Sequence, residues 1–335
     1  MFSRAASQLA PAETSEDSTM GSPVIESSAG DAKRAMEALE WAAMRAEGKT
    51  APVASALACA ADYQAAASTY TRDMRAHLDR VLMSDDAEGG LDALLEAGAL
   101  GALLPEVSAM VGFGDGEWRH KDVWKHTKQV VRQAVPRIEI RWAALLHDIG
   151  KVRTRSISPD GEVHFFGHAE VGARMFDKMN RRIPIFKHED SLRTSVHFLI
   201  LHHLRASQYD ASWTDSAVRR FAREMGDSLD DVLCLSRADI TTKRPEKKKK
   251  GLRQISELAD RVRTVLAEDA VVPPLPSGVG DEIMRAYKIP PSRLIGEIKR
   301  KLEQAIEAGT LRSHQDSEFY LAHIGANRAE YGLPE

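Results

Sequence analysis

Histidine is the residue type whose distribution along this 335-residue sequence points to chemistry. Nine of the twelve histidines lie between positions 120 and 203, whereas histidines without a common role would scatter. Imidazole nitrogens are common ligands of divalent transition metals, so this clustering predicts a metal site. The nine are His120, His126, His147, His164, His168, His188, His197, His202 and His203.

The centre of the series is the segment 142–151, in which an apolar helical stretch ends in His147 and Asp148. Burying an unpaired carboxylate beside an apolar run is unfavourable, and a cation would offset that cost. Gly150 follows two residues after Asp148 and can adopt a left-handed helix cap. Imidazole with carboxylate suits Mn, Fe, Co, Ni or Zn, while a more oxygen-rich shell suits Mg.

Four further candidate ligands lie on separate predicted helices, each in or just after an apolar stretch that can turn inward. They are His126, His168, His203 and Asp239. His202 and His203 are adjacent and about 100° apart on their helix, so they cannot both point along one line. His202 is therefore a candidate to support the ligands from behind, or to serve as an alternative ligand.

Helices are the elements that must position these side chains, because the apolar residues recur at helical spacing and no segment alternates like a sheet. Asp31 is expected to cap the first strong helix, and Gly89-Gly90 to interrupt the helical sequence that follows. The stretch 154–166 contains Pro159-Asp160-Gly161 and predicts a small hairpin or a plain loop. The predicted fold class is all-α.

Composition limits the classes of function. The chain is 43% apolar and 28% charged, with 46 basic and 49 acidic residues, so its net charge of −3 excludes a polybasic nucleic-acid binder. Two cysteines make neither a disulfide framework nor a four-cysteine zinc site. No apolar run reaches membrane-spanning length and no signal peptide is evident, so we expect a soluble cytoplasmic protein without a membrane partner.

A basic run at 243–250 follows Asp239 closely and contains six basic residues and one acidic residue. One interpretation is a loop that tracks substrate phosphates through Lys247, Lys248, Lys249 and Lys250. The alternative interpretation is a solvated charged loop.

The order His126, His147-Asp148, His168, His203, Asp239 resembles the HD superfamily of metal-dependent phosphohydrolases. From about Asp31 to the C-terminus, the sequence is more specifically similar to the C-terminal half of bacterial class II CCA-adding enzymes and poly(A) polymerases that carry an HD domain. The segments that carry this likeness are GLDALLEAGALGALLPEV, HKDVWKHT, RWAALLHDIGK, FFGHAEVGA, TDSAVRRFAREMGDSLDDVLCLSRADITTKRPEKKKK and GDEIMRAYKIPPSRLIGEIKRKLEQAI.

The resemblance implies an HD-domain helical bundle with a helical neck remnant and a helical C-terminal extension. The expected organisation is a disordered tail at 1–30, degenerate neck helices at 31–105, the HD metal-binding domain at 106–245 and the extension at 246–335. It also implies one or two divalent ions (Mn, Ni, Co, Fe, Zn or Mg) and a phosphohydrolase or phosphodiesterase activity. The expected substrates are nucleotide or RNA phosphate esters, such as 2′,3′-cyclic phosphates or 2′-phosphates.

The resemblance also suggests roles for the candidate residues. His126, His147, Asp148 and Asp239 would hold the core metal, and His168 with His203 would complete a second site or bind phosphate. Asp148 would bridge two metals and take part in catalysis. Lys151 would neutralise charge that builds on phosphorus.

The sequence departs from the resembled enzymes near its start. Their nucleotidyltransferase domain holds two metals on paired aspartates, and no such pair follows Gly21-Ser22, so we expect no nucleotide addition by this chain. In the neck, Asp31 and Arg34 match base-reading positions, whereas Glu37 and Glu40 stand where arginines are usual. Two alternatives stay open: a non-catalytic tRNA- or RNA-binding module, and a trans-acting subunit of a split CCA-adding enzyme. A homodimer is also left open.

Overall fold

Helices make up nearly all regular structure in the computed structural model, which describes residues 24–50, 58–114, 122–270 and 273–333. The all-α prediction is confirmed. The chain packs as two compact units, Met1–Ala259 and Asp260–Glu335. None of the described helices is long and apolar enough to cross a membrane.

The first unit contains the following helices: α1 (Val24–Ala46), α2 (Ala60–Thr69), α3 (Thr71–Met83), α4 (Ala87–Glu96), α5 (Ala99–Leu103), α6 (Pro105–Ser108), α7 (Val123–Gln133), α8 (Ile138–Leu146), α9 (Lys151–Thr154), α10 (His168–Arg182), α11 (Asp190–His202), α12 (Asp215–Met225) and α13 (Leu229–Ala238). Helix α14 (Pro245–Ala270) begins in the first unit and continues into the second. The predicted domain boundaries stay predictions. Residues 1–23 of the predicted tail lie outside the described part of the chain, and its last residues, 24–30, belong to α1.

The stretch between α9 and α10 forms a hairpin. Strand β1 (Ser156–Ile157) pairs antiparallel with β2 (Val163–His164), with Ser156 opposite His164 and Ile157 opposite Val163. The prediction left a hairpin and a plain loop open, and the structure has the hairpin.

The neck helices differ from the sequence expectation at Asp31. Because α1 already begins at Val24, Asp31 lies inside that helix and does not cap it. The Arg34 guanidinium pairs with Asp31 and makes bonds of 2.8 Å and 3.3 Å to the two carboxylate oxygens of Asp62, which is buried. These bonds lower the pKa of Asp62 below its usual range. Arg34 therefore joins α1 to α2.

The prediction of a break at Gly89-Gly90 is wrong. Both glycines lie inside α4, because the Asp86 carboxylate caps its first turn by accepting a hydrogen bond of 3.0 Å from the Gly89 N–H. A Cβ atom at Gly90 would lie 2.5 Å from Ala46 Cβ and 2.8 Å from Val81 Cγ1. Gly90 is thus required by the close approach of α4 to its neighbours.

The second unit has its own apolar core. It contains α15 (Val279–Tyr287), α16 (Arg293–Glu307) and α17 (Ser317–Ala326), which follow the end of α14. Ile283, Ile298, Leu302, Tyr320 and Ile324 are fully buried in this core.

The packing at Gly90 gives a stability prediction. We expect Gly90→Ala to lower the free energy of unfolding by about 1–3 kcal/mol, since the added methyl group overlaps two neighbouring side chains. The matched control is Gly101→Ala in α5, where the added Cβ meets only Ser108 Oγ at 3.9 Å. That exchange should stabilise by about 0.5–1 kcal/mol through helix propensity. Thermal unfolding followed by circular dichroism measures the stability of both variants. Equal stability of the two would show that the close helix contact at Gly90 does not require glycine.

Candidate metal centre

The end of α8 carries the central pair of the site. The residues of α8 from Ile140 to Leu146 are buried, so this helix runs through the core of the first unit. His147 follows in helical conformation and Asp148 comes next in a turn, and both are buried. An Asp at the end of a buried helix must find charged or hydrogen-bonding partners there, because water cannot solvate it.

Gly150 is needed for a reason other than the one that the sequence suggested. Its φ is −66° and its ψ is −22°, so the predicted left-handed cap is wrong. A Cβ at this position would lie 2.1 Å from the carbonyl oxygen of His168 and 2.7 Å from the Gly172 nitrogen. The absent side chain lets the backbone after Asp148 touch the first turn of α10, which brings His168 to the centre.

One group of ligand-type atoms forms beside one carboxylate oxygen of Asp148. His126, His147 and Asp148, here called the first triad, place one ligand atom each within 4.8 Å of one another. His147 Nε2 lies 3.2 Å from Asp148 Oδ2, and His126 Nε2 lies 3.4 Å from the same oxygen. Asp239, just after α13, approaches with its Oδ1 atom 3.0 Å from His126 Nε2 and 3.6 Å from His147 Nε2.

A second group forms beside the other carboxylate oxygen. Asp148, His168 and His203, here called the second triad, meet the same distance criterion. His168 Nε2 lies 3.6 Å from Asp148 Oδ1, and His203 Nε2 lies 4.0 Å from it. The two imidazole Nε2 atoms are 3.2 Å apart. Asp148 therefore belongs to both triads, with one oxygen turned toward each.

Backbone carbonyls fix the orientation of three of the rings. His147 Nδ1 lies 2.9 Å from Ala144 O, His168 Nδ1 lies 2.7 Å from Phe165 O, and His203 Nδ1 lies 2.7 Å from Ile200 O. A carbonyl oxygen only accepts, so each Nδ1 carries the hydrogen and each Nε2 faces the centre. Metal-ligating histidines are commonly held in this way from behind.

His126 is anchored by a residue that the sequence analysis missed. Its Nδ1 atom lies 2.8 Å from the hydroxyl oxygen of Thr241, two residues beyond Asp239. A threonine after a helix end gives no sequence signal for this contact, because the partner is distant along the chain.

The six clustered side chains lie in a segment that matches a known protein family. The family model described as "HD domain" matches residues 123–244, which hold all six clustered side chains. These residues form an HD domain. Over this region, the chain is homologous to tRNA nucleotidyltransferases that add CCA or A.

Three relatives illustrate the similarity. The A-adding tRNA nucleotidyltransferase of Deinococcus radiodurans is 31% identical over 255 residues, which is 74% of this chain and 57% of that protein. The CC-adding tRNA nucleotidyltransferase of Thermus thermophilus is 29% identical over 264 residues, 76% of this chain and 57% of that protein. A multifunctional CCA protein of Pseudomonas fluorescens is 32% identical over 111 residues, 31% of this chain and 26% of that protein. The chain thus spans little more than half the length of the first two.

The electrostatics of the HD centre separate its groups into charged and neutral ones. Burial disfavours a charged His147 ring, but the carboxylates of Asp148 and Asp239 outweigh it and raise the pKa of His147 to about 10. Burial also disfavours both carboxylates. Nevertheless, the pKa values of both carboxyls lie well below their usual range. The adjacent His147 ring lowers the pKa of Asp148, and the hydrogen bond with His126 lowers that of Asp239.

The second triad has neutral rings. Burial lowers the pKa of His203 to about 4, helped by the charge on His147. Burial likewise lowers the pKa of His168. Neutral imidazole is the form that binds metal, so these two rings are ready to act as ligands without losing a proton.

One buried oxygen in this centre has no hydrogen-bond partner. Asp148 Oδ2 accepts a hydrogen bond of 2.6 Å from Lys151 Nζ, whereas Asp148 Oδ1 is buried without any donor within reach. A buried ionised carboxylate oxygen left in this way is unfavourable, and a cation would satisfy it. The His/Asp cluster is therefore compatible with divalent metal binding.

Other predicted residues lie away from the triads. His202 packs its ring on Phe198, with 4.2 Å between ring centroids, and contributes to neither triad. His197 lies 3.4 Å from Asp177. His120 falls outside the described residues, so its predicted placement outside the site stays a prediction. His164 stacks on Phe166.

The basic run does not form the predicted loop. Pro245 begins α14, so Lys247, Lys248, Lys249 and Lys250 lie in the first turns of a helix. Proline has its φ already set and needs no N–H partner, which suits Pro245 to the first position of α14. Three of these lysines are exposed, and Lys248 is half-buried with its Nζ atom 3.5 Å from Gln133 Oε1.

The raised pKa of His147 predicts a proton release. A metal ligand must be unprotonated, and His147 carries a proton below about pH 10 in the metal-free protein. Adding Mn²⁺ or Ni²⁺ at about pH 8 should therefore release about one proton from this ring per ion bound in the first triad.

A pH-indicator titration or calorimetry in two buffers measures that release. His147→Gln, which lacks the titrating ring, should release no proton from this position for each ion that it still binds. Full metal binding by the unaltered protein without proton release would show that His147 does not give up a proton to become a ligand.

Proposed function

We propose that this protein is a metal-dependent phosphohydrolase or phosphodiesterase that acts on nucleotide or RNA phosphate esters, such as 2′,3′-cyclic phosphates or 2′-phosphates. The observation that carries the proposal is the convergence of two histidine pairs on the two carboxylate oxygens of Asp148. One of these oxygens, Oδ1, is buried and accepts no hydrogen bond. The HD domain supports a hydrolase-type fold.

The donor set fits one or two divalent ions. The first triad with Asp239 offers two imidazole nitrogens and two carboxylates, and the second triad offers two imidazoles with the shared Asp148. This mixture of nitrogen and oxygen suits Mn, Fe, Co, Ni or Zn. Asp148 is common to both triads and would take part in holding either ion or both. Bound divalent ions polarise phosphoryl oxygens and lower the pKa of water.

Access to the centre follows from exposure. The side chains of His147, Asp148 and His203 are about 1% exposed, whereas those of Lys151 and Asp239 are 22% and 28% exposed. A phosphate ester would enter on the side of Lys151 and Asp239. The buried rings on the far side would exclude water and hold their positions.

Lys151 is the chain's own cation at this entrance. Its Nζ atom donates to Asp148 Oδ2 and lies 5.7 Å from the ring centroid of Phe165. From this position, it would donate to a phosphoryl oxygen and stabilise the negative charge that grows there during hydrolysis.

Nucleotide or RNA esters are favoured among phosphate esters by two features. The relatives are named as tRNA nucleotidyltransferases, which favours tRNA as a partner. The basic start of α14 is also tied to the region of Asp239, because Gln133 lies beside Lys248 and donates a hydrogen bond of 2.7 Å to Ala238 O. Lys247, Lys249 and Lys250 would contact backbone phosphates outside the centre.

A second candidate function is a tRNA-binding role without hydrolysis, as a module or a trans-acting subunit of a CCA-adding enzyme. It is favoured by the similarity to such enzymes over 74% of the chain. Nucleotide-ester turnover by the purified, metal-loaded protein separates the two, because the binding role predicts tRNA affinity without turnover.

Removal of central ligands gives the most direct test of the metal proposal. His147→Ala and Asp148→Ala should each lose most bound metal and most hydrolysis, since each removes a group that no neighbour replaces. Metal analysis of the purified variants and a screen of phosphate esters measure both losses.

The matched control is His202→Ala, which removes a neighbouring imidazole outside both triads. It should keep its metal and its turnover. Circular dichroism should show intact helices in all three variants. Unchanged metal content in both central variants would overturn the assignment of the site.

A further inference from the structure

The β1–β2 hairpin is attached to the HD centre at both ends. It follows Lys151 of α9 and precedes His168, the first residue of α10. The carbonyl of Phe165, at the end of the hairpin, accepts the hydrogen bond from His168 Nδ1. A ligand bound at this end of the hairpin would therefore lie close to the second triad.

The two phenylalanines at this end behave differently. Phe165 is half-buried, with its ring centroid 6.3 Å from that of Phe113 and 5.7 Å from Lys151 Nζ. Phe166 is 78% exposed, the largest exposed fraction among the large hydrophobic side chains of the described residues. Phe165 thus serves the packing of the site, whereas Phe166 contributes little to any core.

Phe166 is nevertheless ordered against a second ring. Its centroid lies 4.9 Å from that of His164, and the two planes are inclined by only 14°. This is stacked geometry, so one face of the Phe166 ring is covered by imidazole while the exposed fraction leaves the other accessible. A flat, pre-oriented aromatic surface of this kind matches the face of a nucleobase.

Two arginines outnumber one acidic residue around the open end of the hairpin, so the balance there suits a phosphate. The acidic residue is Glu170, whose Oε2 atom lies 3.7 Å from the position that a Cβ of Gly167 would take. Arg153 and Arg155 are exposed, and neither has an ion pair within the described part of the chain. The acidic residues of the hairpin, Asp160 and Glu162, lie at its turn, the end away from Phe166. Asp160 also accepts a hydrogen bond from the Ser158 hydroxyl.

We propose that Phe166, backed by His164, is a stacking platform for an unpaired nucleobase, and that Arg153 and Arg155 contact the phosphates attached to it. The proposal rests on the proposed function, because it names the part of a nucleotide substrate that lies beside the HD centre. Stacking on an aromatic ring tolerates any base, so the platform selects nucleotides over other phosphate esters without selecting a sequence.

The test compares two ligands that differ only in their bases. Binding of a short oligoadenylate RNA and of an abasic ribose-phosphate oligomer of equal length is measured for the full chain in EDTA, so that hydrolysis does not occur. Phe166→Leu should weaken oligoadenylate binding about five- to one-hundred-fold, the range found for loss of one base stack. It should hardly change binding of the abasic oligomer.

Two variants serve as controls. Phe166→Trp restores an aromatic face and should restore oligoadenylate binding. Ile157→Ala removes another exposed apolar side chain from the same hairpin, 59% exposed, and should leave both affinities unchanged. Replacing Arg153 and Arg155 with serine should weaken both oligomers equally and flatten the salt dependence.

The outcomes separate this proposal from the proposed function. Equal affinity of the unaltered protein for both oligomers, or no effect of Phe166→Leu, would overturn the platform even if the metal-loaded protein hydrolyses nucleotide esters. Conversely, base-dependent binding through Phe166 without any turnover would support the platform and contradict the hydrolase proposal. Binding of adenosine 2′,3′-cyclic phosphate, measured in the same way, distinguishes a free nucleotide from the end of an RNA strand as the source of the base.

Discussion

The burial of the Asp148 carboxylate is the constraint on which the rest of the centre depends. Its side chain is about 1% exposed at the end of a buried helix, and its ionised form needs positive or hydrogen-bonding partners on both oxygens. Lys151 and the charged His147 ring satisfy Oδ2, but Oδ1 faces only the neutral rings of the second triad. A cation between these groups would remove the imbalance, and the ring orientations set by backbone carbonyls would suit it.

Close helix approaches make this arrangement possible. The backbone at Gly150 touches the first turn of α10, and Gly172 in the same helix lies beside Ile200 of α11. Larger residues would separate these helices and move His168 and His203 away from Asp148. Further from the centre, Gly90 plays the same part where α4 meets Ala46 and Val81. Small residues at the helix contacts therefore let the ligands at the helix ends come together.

The sequence predicted the helical class and the clustered ligands because each ligand lies at or near the end of an apolar helical run, a pattern visible locally. It failed where the deciding contact joins distant segments. Gly150 was expected to cap a helix, whereas its role is set by His168. The lysine run was expected to be a loop, whereas Pro245 begins a helix there. Thr241 behind His126 and the exposed Phe166 ring had no local signal, since their importance depends on three-dimensional neighbours.

We expect Asp148 to hold a divalent ion together with histidines from both sides. Anomalous diffraction from crystals of the full chain grown with Mn²⁺ tests it most directly. We expect a peak in contact with Asp148, flanked by His126 and His147, with a second peak toward His168 and His203 when two ions bind. A clear map of the HD centre with no anomalous peak at Asp148, under Mn²⁺ concentrations that support hydrolysis, would contradict it.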